Sequence, residues 1–138
     1  MFSGYKLMQH TADTGIIAQG ADLSAAFAFA ASGLFSLITD TSTLQQDKAV
    51  SLAFSSDSYE NLLVKWLNEL IYIFDTHQMV FGRFEVAVSP DFRLSATCFG
   101  QKITADTVLH HYVKAATYHL LKVKKISGGY KLQVVLDI

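Results

Sequence analysis

The spacing of hydrophobic positions changes twice along the chain. Residues 5–9 and 16–19 are short apolar-rich runs that predict two strands, with His10-Thr11-Ala12-Asp13 as the turn between them. Gly20 closes the second run, and Asp22 is a suitable N-cap for a helix that starts at Leu23. Leu23, Phe27, Ala30, Leu34 and Ile38 then recur at helical spacing. Phe29 and Phe35 lie off that stripe, so the helix is apolar nearly all round and should be covered on more than one side. The polar stretch 39–47 ends it. Val50, Leu52 and Phe54 alternate with small or polar residues and predict a half-buried strand. Asp57 with Glu60 forms a capping-box pattern for a second helix, whose apolar face is Leu62, Leu63, Trp66, Leu67, Leu70, Ile71 and Phe74. Trp66 at this spacing reads as core.

After His77 the period becomes two and stays so. Phe84, Val86 and Val88 predict one strand, Pro90-Asp91 a turn, and residues 93–99 the returning strand. Residues 113–120, 121–126 and 130–138 are further strand candidates, with Ser127-Gly128-Gly129 joining the last two as a hairpin. These elements predict an α+β fold: a single domain over residues 1–138, with two helices packed on a mostly antiparallel sheet.

Composition narrows the function classes. The chain has 138 residues, half of them apolar and 17% charged, which suits one domain with a sizeable core. A net charge of −1 gives no global attraction to nucleic acid or membrane. Five of the eleven basic residues (Lys114, Lys122, Lys124, Lys125 and Lys131) fall in the last quarter, where lysine commonly guards strand edges. A nucleic-acid groove is the lesser reading. The single Cys98 fits no internal disulfide and no zinc spacing, which suits a reducing cytoplasm. No secretory leader pattern opens the sequence, and its longest nearly apolar run, residues 25–38, is too short to span a bilayer.

Phosphate-loop, dinucleotide, nucleophile-elbow and paired-cysteine signatures are absent. His111 and His119 would share a face if they shared one strand, but eight residues of strand span roughly 26 Å, too far for one metal ion. The chain end is more informative. Leu132, Val134 and Leu136 alternate down a buried-looking strand that stops at Asp137-Ile138, so a carboxylate and the α-carboxylate stand side by side. Chain ends are usually solvated, and Asp and Thr in a turn usually serve local hydrogen bonds. If Asp13 joined the pair, three carboxylates would repel by roughly 4 kcal/mol per pair at 4 Å and an effective dielectric of about 20. A hard divalent cation removes that cost, and all-oxygen ligation favours calcium over zinc.

Several stretches together resemble the archease family over essentially the whole length. They are His10-Thr11-Ala12-Asp13 with Gly15-Ile16, then Gly20-Ala21-Asp22-Leu23 with Ala26-Phe27, Leu34-Phe35 and Ile38-Thr39-Asp40. Trp66-Leu67-Asn68-Glu69-Leu70 with Phe74-Asp75 follows, then Val113-Lys114-Ala115-Ala116-Thr117-Tyr118-His119 and Val134-Val135-Leu136-Asp137-Ile138. Each block alone is weak, but all of them in order are specific. The resemblance implies a cytoplasmic, non-catalytic accessory protein. It would activate an RtcB-type RNA ligase in tRNA splicing or RNA repair by promoting metal-dependent guanylylation and multiple turnover. RNA would be met only indirectly, through the ligase, and no membrane would be involved. Carried over by position, the metal ligands are Asp13, Asp137 and the terminal carboxylate of Ile138, the three positions that the charge argument reaches. The ion would be calcium or another divalent cation. His10 and Lys114 lie in family motifs and are assigned supporting or partner-contact roles. Tyr112 stands where the family often has an acidic residue, and Tyr130 and Leu136 replace frequent tryptophan and phenylalanine.

Two other classes are weighed beside this one. A metal-dependent hydrolase would use Asp13 and His10 to activate water, but no second base or oxyanion pattern is visible. A general folding helper would use exposed apolar surface, the motive being the unusually apolar first helix.

Overall fold

The computed structural model describes residues 2–9 and 13–138, with Gln9 and Asp13 given by their backbone. Residues 10–12, the greater part of the expected turn and with it His10, lie outside the described residues. In chain order the elements are β1 (Gly4–Gln9), β2 (Asp13–Gly20), α1 (Leu23–Ile38), a 3-10 turn (Thr41–Thr43), β3 (Lys48–Ser55), α2 (Tyr59–His77), β4 (Met79–Ser89), β5 (Arg93–Lys102), β6 (Ala115–Ala116), β7 (Lys122–Ile126) and β8 (Gly129–Asp137). The strands form two antiparallel sheets. One has the order β3-β5-β4. The other runs β1-β2-β8, with β7 and β6 both on the remaining edge of β8, β7 against its first half and β6 against its end. The α+β class therefore holds, with two sheets in place of the one sheet that the alternation suggested.

Helix α1 forms where the sequence places it because Asp22 caps it, its Oδ1 accepting the Ala25 N–H at 2.8 Å. It is apolar nearly all round because it packs against both sheets at once, on β1, β2 and β8 of one and on β4 of the other. Phe27, Ala30, Leu34, Phe35 and Ile38 have no exposed surface. The apolar face that motivated a folding-helper reading is thus the middle of the core. Gly33 lets α1 approach β1 and β2 closely: a Cβ there would stand 3.1 Å from Ile16 and 3.2 Å from the Tyr5 ring. The C-terminus of α1 is closed by the segment after β5, where the His110 N–H donates to the Ile38 carbonyl and the Thr39 hydroxyl to the Val108 carbonyl.

Helix α2 starts one residue later than the Asp57 capping pattern implies. Ser58 is the N-cap, its hydroxyl accepting the Asn61 N–H at 3.0 Å, while Asp57 accepts from the Asn61 side chain. Both are good cap residues, and the one whose backbone is extended at the helix start takes the role. The predicted apolar face of α2 is buried throughout. Trp66 is core, its indole N–H donating to the Phe27 carbonyl at 3.0 Å and so tying α2 to α1. Cys98 is fully buried on β5, and burial pushes its thiol up to about 12.

The strand expected over residues 113–120 shrinks to Ala115–Ala116. Thr117 turns its N–H and hydroxyl onto one acceptor, the Val135 carbonyl, and Leu120 takes a left-handed φ of 54° that redirects the chain into β7. His111 and His119 accordingly lie in loops, not on one strand.

Candidate functional site

The end of the five-stranded sheet brings together segments from the two ends of the sequence. β2 and β8 pair in antiparallel register along their whole length, which sets Asp13 opposite Asp137 and Thr14 opposite Leu136. On the other side of β8, Ala115 is opposite Asp137. Directly opposed residues of an antiparallel pair have Cα atoms about 4.5–5.5 Å apart. The two aspartates predicted to share a site are therefore neighbours in the sheet, although they are separated by most of the chain.

The burial pattern of β8 presents Asp137. Leu132, Val134 and Leu136 face the core, with at most 1% of their surface exposed, and the two-residue period puts Lys131, Gln133 and Asp137 on the opposite face. Asp137 is exposed, and among the described residues its carboxylate has no hydrogen-bond or ion-pair partner. Its carbonyl is occupied, accepting the Lys114 N–H at 2.8 Å. Ile138 is half-buried and packs its side chain on the core, which anchors the residue whose main-chain oxygens are the third predicted donor.

Lys114 is placed beside the site through its backbone, and its side chain is exposed. What holds it there was not singled out from the sequence. Asn68, on α2, grips β6 with both ends of its amide: Oδ1 accepts the Ala116 N–H at 2.8 Å, and Nδ2 donates to the Ala116 carbonyl at 3.4 Å. The side chain thus completes the outer ladder of a two-residue strand that would otherwise leave a buried N–H unpaired. The available signal was a polar amide on a helix that is otherwise apolar toward the core. Tyr112 adds a second tether, donating its hydroxyl to Asp75 Oδ1 at 2.9 Å. The Asp75 hydrogen bond, with the carboxylate charge, raises the phenol above its ordinary value.

The donor set is chemically consistent with a hard cation: two aspartates at opposed register positions and main-chain oxygen at the next residue, with no sulfur or imidazole among the described members. Among the described residues, no three His, Cys, Asp or Glu groups converge on a point that could hold a metal ion. No helix among them is long and apolar enough to cross a membrane.

Residues 5–138 match the model of the Archease protein family. A protein archease from Methanosarcina mazei is 33% identical over 97% of this chain and 95% of the relative. One from Saccharolobus islandicus is 38% identical over 97% of this chain and 98% of the relative. The solution structure of Methanobacterium thermoautotrophicum protein 1598 superposes with a TM-score of 0.88 at 32% identity, covering 99% of this chain and all of that one. The crystal structure of a Thermotoga maritima archease, described as a possible chaperone, shares the fold with a TM-score of 0.61 at 18% identity. Matched along nearly its whole length in sequence and in fold, the chain belongs to the archease family.

Proposed function

We propose that this protein is a non-catalytic, cytoplasmic activator of an RtcB-type RNA ligase in tRNA splicing or RNA repair, and that it works through a divalent cation, calcium in the first instance. The observation that carries the reading is the register of β2 on β8, which sets Asp13 opposite Asp137, one residue before Ile138. Asp13, Asp137 and the main-chain carboxylate of Ile138 would hold the ion, which supplies a compact positive charge that prefers oxygen ligands. The chain's own residues do the rest. Ile138 fixes its backbone by packing on the core, and Asn68 holds β6, so that Lys114 lies at the rim of the acidic end of the sheet.

A ligase that stalls during its metal-dependent guanylylation needs its ion and nucleotide held in a competent arrangement. A rigid sheet end carrying an ion offers a positioned charge without any nucleophile of its own. The test is multiple-turnover RNA joining by the cognate ligase with and without this protein. Stimulation at substoichiometric amounts, lost in Asp13→Ala, is expected. RNA joining by this protein alone, or a strict one-to-one requirement, would overturn the reading.

A further inference from the structure

The face of the five-stranded sheet that turns away from the helices carries a second charged feature, at the opposite end from Asp137. Cross-strand register builds two rows on it: Gln19, Lys131 and Lys124 in one, and Lys6, Ile17, Gln133 and Lys122 in the next. The rows are two residues apart along each strand, about 6.6 Å. Lys131 and Lys124 are direct cross-strand partners, an arrangement of like charges that destabilises a ladder. Among the described residues none of these four lysines forms an ion pair; both ion pairs found there belong to the arginines of the other sheet. Lys122, Lys124, Ile126, Lys131 and Gln133 line a concavity of about 200 Å³. The Gln133 amide is fixed in place by donating to the Leu120 carbonyl at 2.9 Å.

Guarding a sheet edge accounts for lysines on β1 and β7, which are edge strands. It does not account for Lys131, which sits on β8 between β2 and β7. Lys131 adds repulsion where the ladder is already closed, and that cost is recovered when an anion binds. We propose that this lysine face binds the phosphate backbone of a single-stranded RNA. The contact is direct and sequence-independent, where the family resemblance implied RNA contact only through the ligase. Protein interfaces are enriched in arginine and aromatic residues and depleted in lysine, whereas this face has four lysines and two glutamines beside Ile17 and Ile126, no arginine, and one neighbouring aromatic, Phe2, under Lys6. Lysine is a point-charge phosphate binder, suited to backbone contact without base readout. The only carboxylate on this face of β8, Asp137, is six residues from Lys131, roughly 20 Å away, so the face is electrically polarised along the strand.

The inference stands apart from the activator reading, since it needs neither the ligase nor the cation. Its test is fluorescence anisotropy of a labelled single-stranded RNA of about 20 nucleotides, titrated with the protein alone between about 50 and 200 mM salt. The variant Lys122→Gln, Lys124→Gln, Lys131→Gln is compared with a control of equal charge change, Lys48→Gln, Lys65→Gln, Lys102→Gln. Thermal melts check that both remain folded. The lysine-face variant is expected to lose about tenfold in affinity per lysine at the lowest salt. Its slope of log K against log salt should flatten by about 2, from about 0.7 per phosphate contact. The control should keep most of the wild-type affinity and slope. Equal RNA affinity in the lysine-face variant and the wild type would overturn the proposal. So would absence of RNA binding by the wild type, and a loss in the same variant of binding to the ligase or to anionic vesicles would then assign the face to that partner. Failure of ligase stimulation would leave this result untouched.

Discussion

In the three-stranded sheet each arginine stands beside a carboxylate, Arg83 with Glu85 and Arg93 with Asp91. In the five-stranded sheet four lysines at one end and Asp137 at the other have no ion-pair partner among the described residues. Exposed pairs of the first kind add little stability, usually below about 1 kcal/mol, but they neutralise both arginines, leaving Lys48 and Lys102 at one end of that sheet without an ion pair among the described residues. Of the second kind, Lys6 lies over the Phe2 ring, 4.4 Å from its centroid, and the others have neither an ion-pair nor a cation–π partner among the described residues. The proposed cation and partner contacts all fall on the second sheet, which leaves the first as scaffold. Topology sharpens the contrast. The three-stranded sheet is built from consecutive hairpin strands with β3 added alongside, whereas the other joins segments from both ends of the sequence.

If that division holds, damage to the scaffold sheet should cost stability without touching ion binding. Phe81 on β4 is fully buried and packs edge-on against Phe35, with ring centroids 5.6 Å apart. Phe81→Ala should lower stability by about 3–5 kcal/mol in chemical denaturation, with unchanged calcium affinity for the folded fraction. A lowered affinity would mean that the two sheets are not separable in this way. Asn68→Leu probes the other sheet. Removing the amide leaves the Ala116 N–H unpaired at a position 6% exposed, at a cost of about 1–3 kcal/mol. Because β6 also flanks Asp137, the same variant should bind calcium more weakly, which a purely structural role would not produce.

Smaller changes test the charges themselves. Lys124→Glu converts a like-charge cross-strand pair with Lys131 into an opposite one, and should raise stability by about 0.2–1 kcal/mol in low salt. Unchanged stability would mean that the two side chains do not feel one another. The smallest effect is expected at Tyr112. Asp75 favours the protonated phenol in the folded state, so its folded pKa lies above the unfolded one. Its contribution to stability is then complete below the unfolded value near 10, and is lost as pH rises through the raised folded value. Tyr112→Phe should flatten the alkaline part of the stability-against-pH curve and leave the curve below pH 9 parallel to that of the wild type.

Much of the fold was legible because local signals agreed with one another. Asp22, the Leu23 to Ile38 stripe and the change of period after His77 place both helices within a residue or two. Residues 113–120 misled because Val113, Ala115 and Ala116 resemble a strand. The side chains of Thr117 and Asn68 decide the backbone there, through bonds to residues 18 and 48 positions away. Alternation says which face of a strand is buried but not which strand lies beside it, so two sheets looked like one. The lysines of β7 were read correctly as edge residues. Lys131 could not be set apart from them until β8 was known to run inside the sheet. The charge argument said only what would follow if Asp13 met Asp137, and the family resemblance assigned both as ligands; their adjacency is a property of the ladder that no local pattern carries.

The central claim is that the end of the β2–β8 ladder holds a cation, and calorimetric calcium titration tests it most directly. The proteins to compare are the wild type, Asp13→Ala, Asp137→Asn and a form extended past Ile138 by a short Gly-Ser tail. The account predicts one site in the wild type and loss of binding in both aspartate variants, whose folds without the ion melt no lower than the wild type. The extended form should bind more weakly, because a neutral amide oxygen replaces an anionic one. Wild-type calcium affinity in either aspartate variant would contradict the claim.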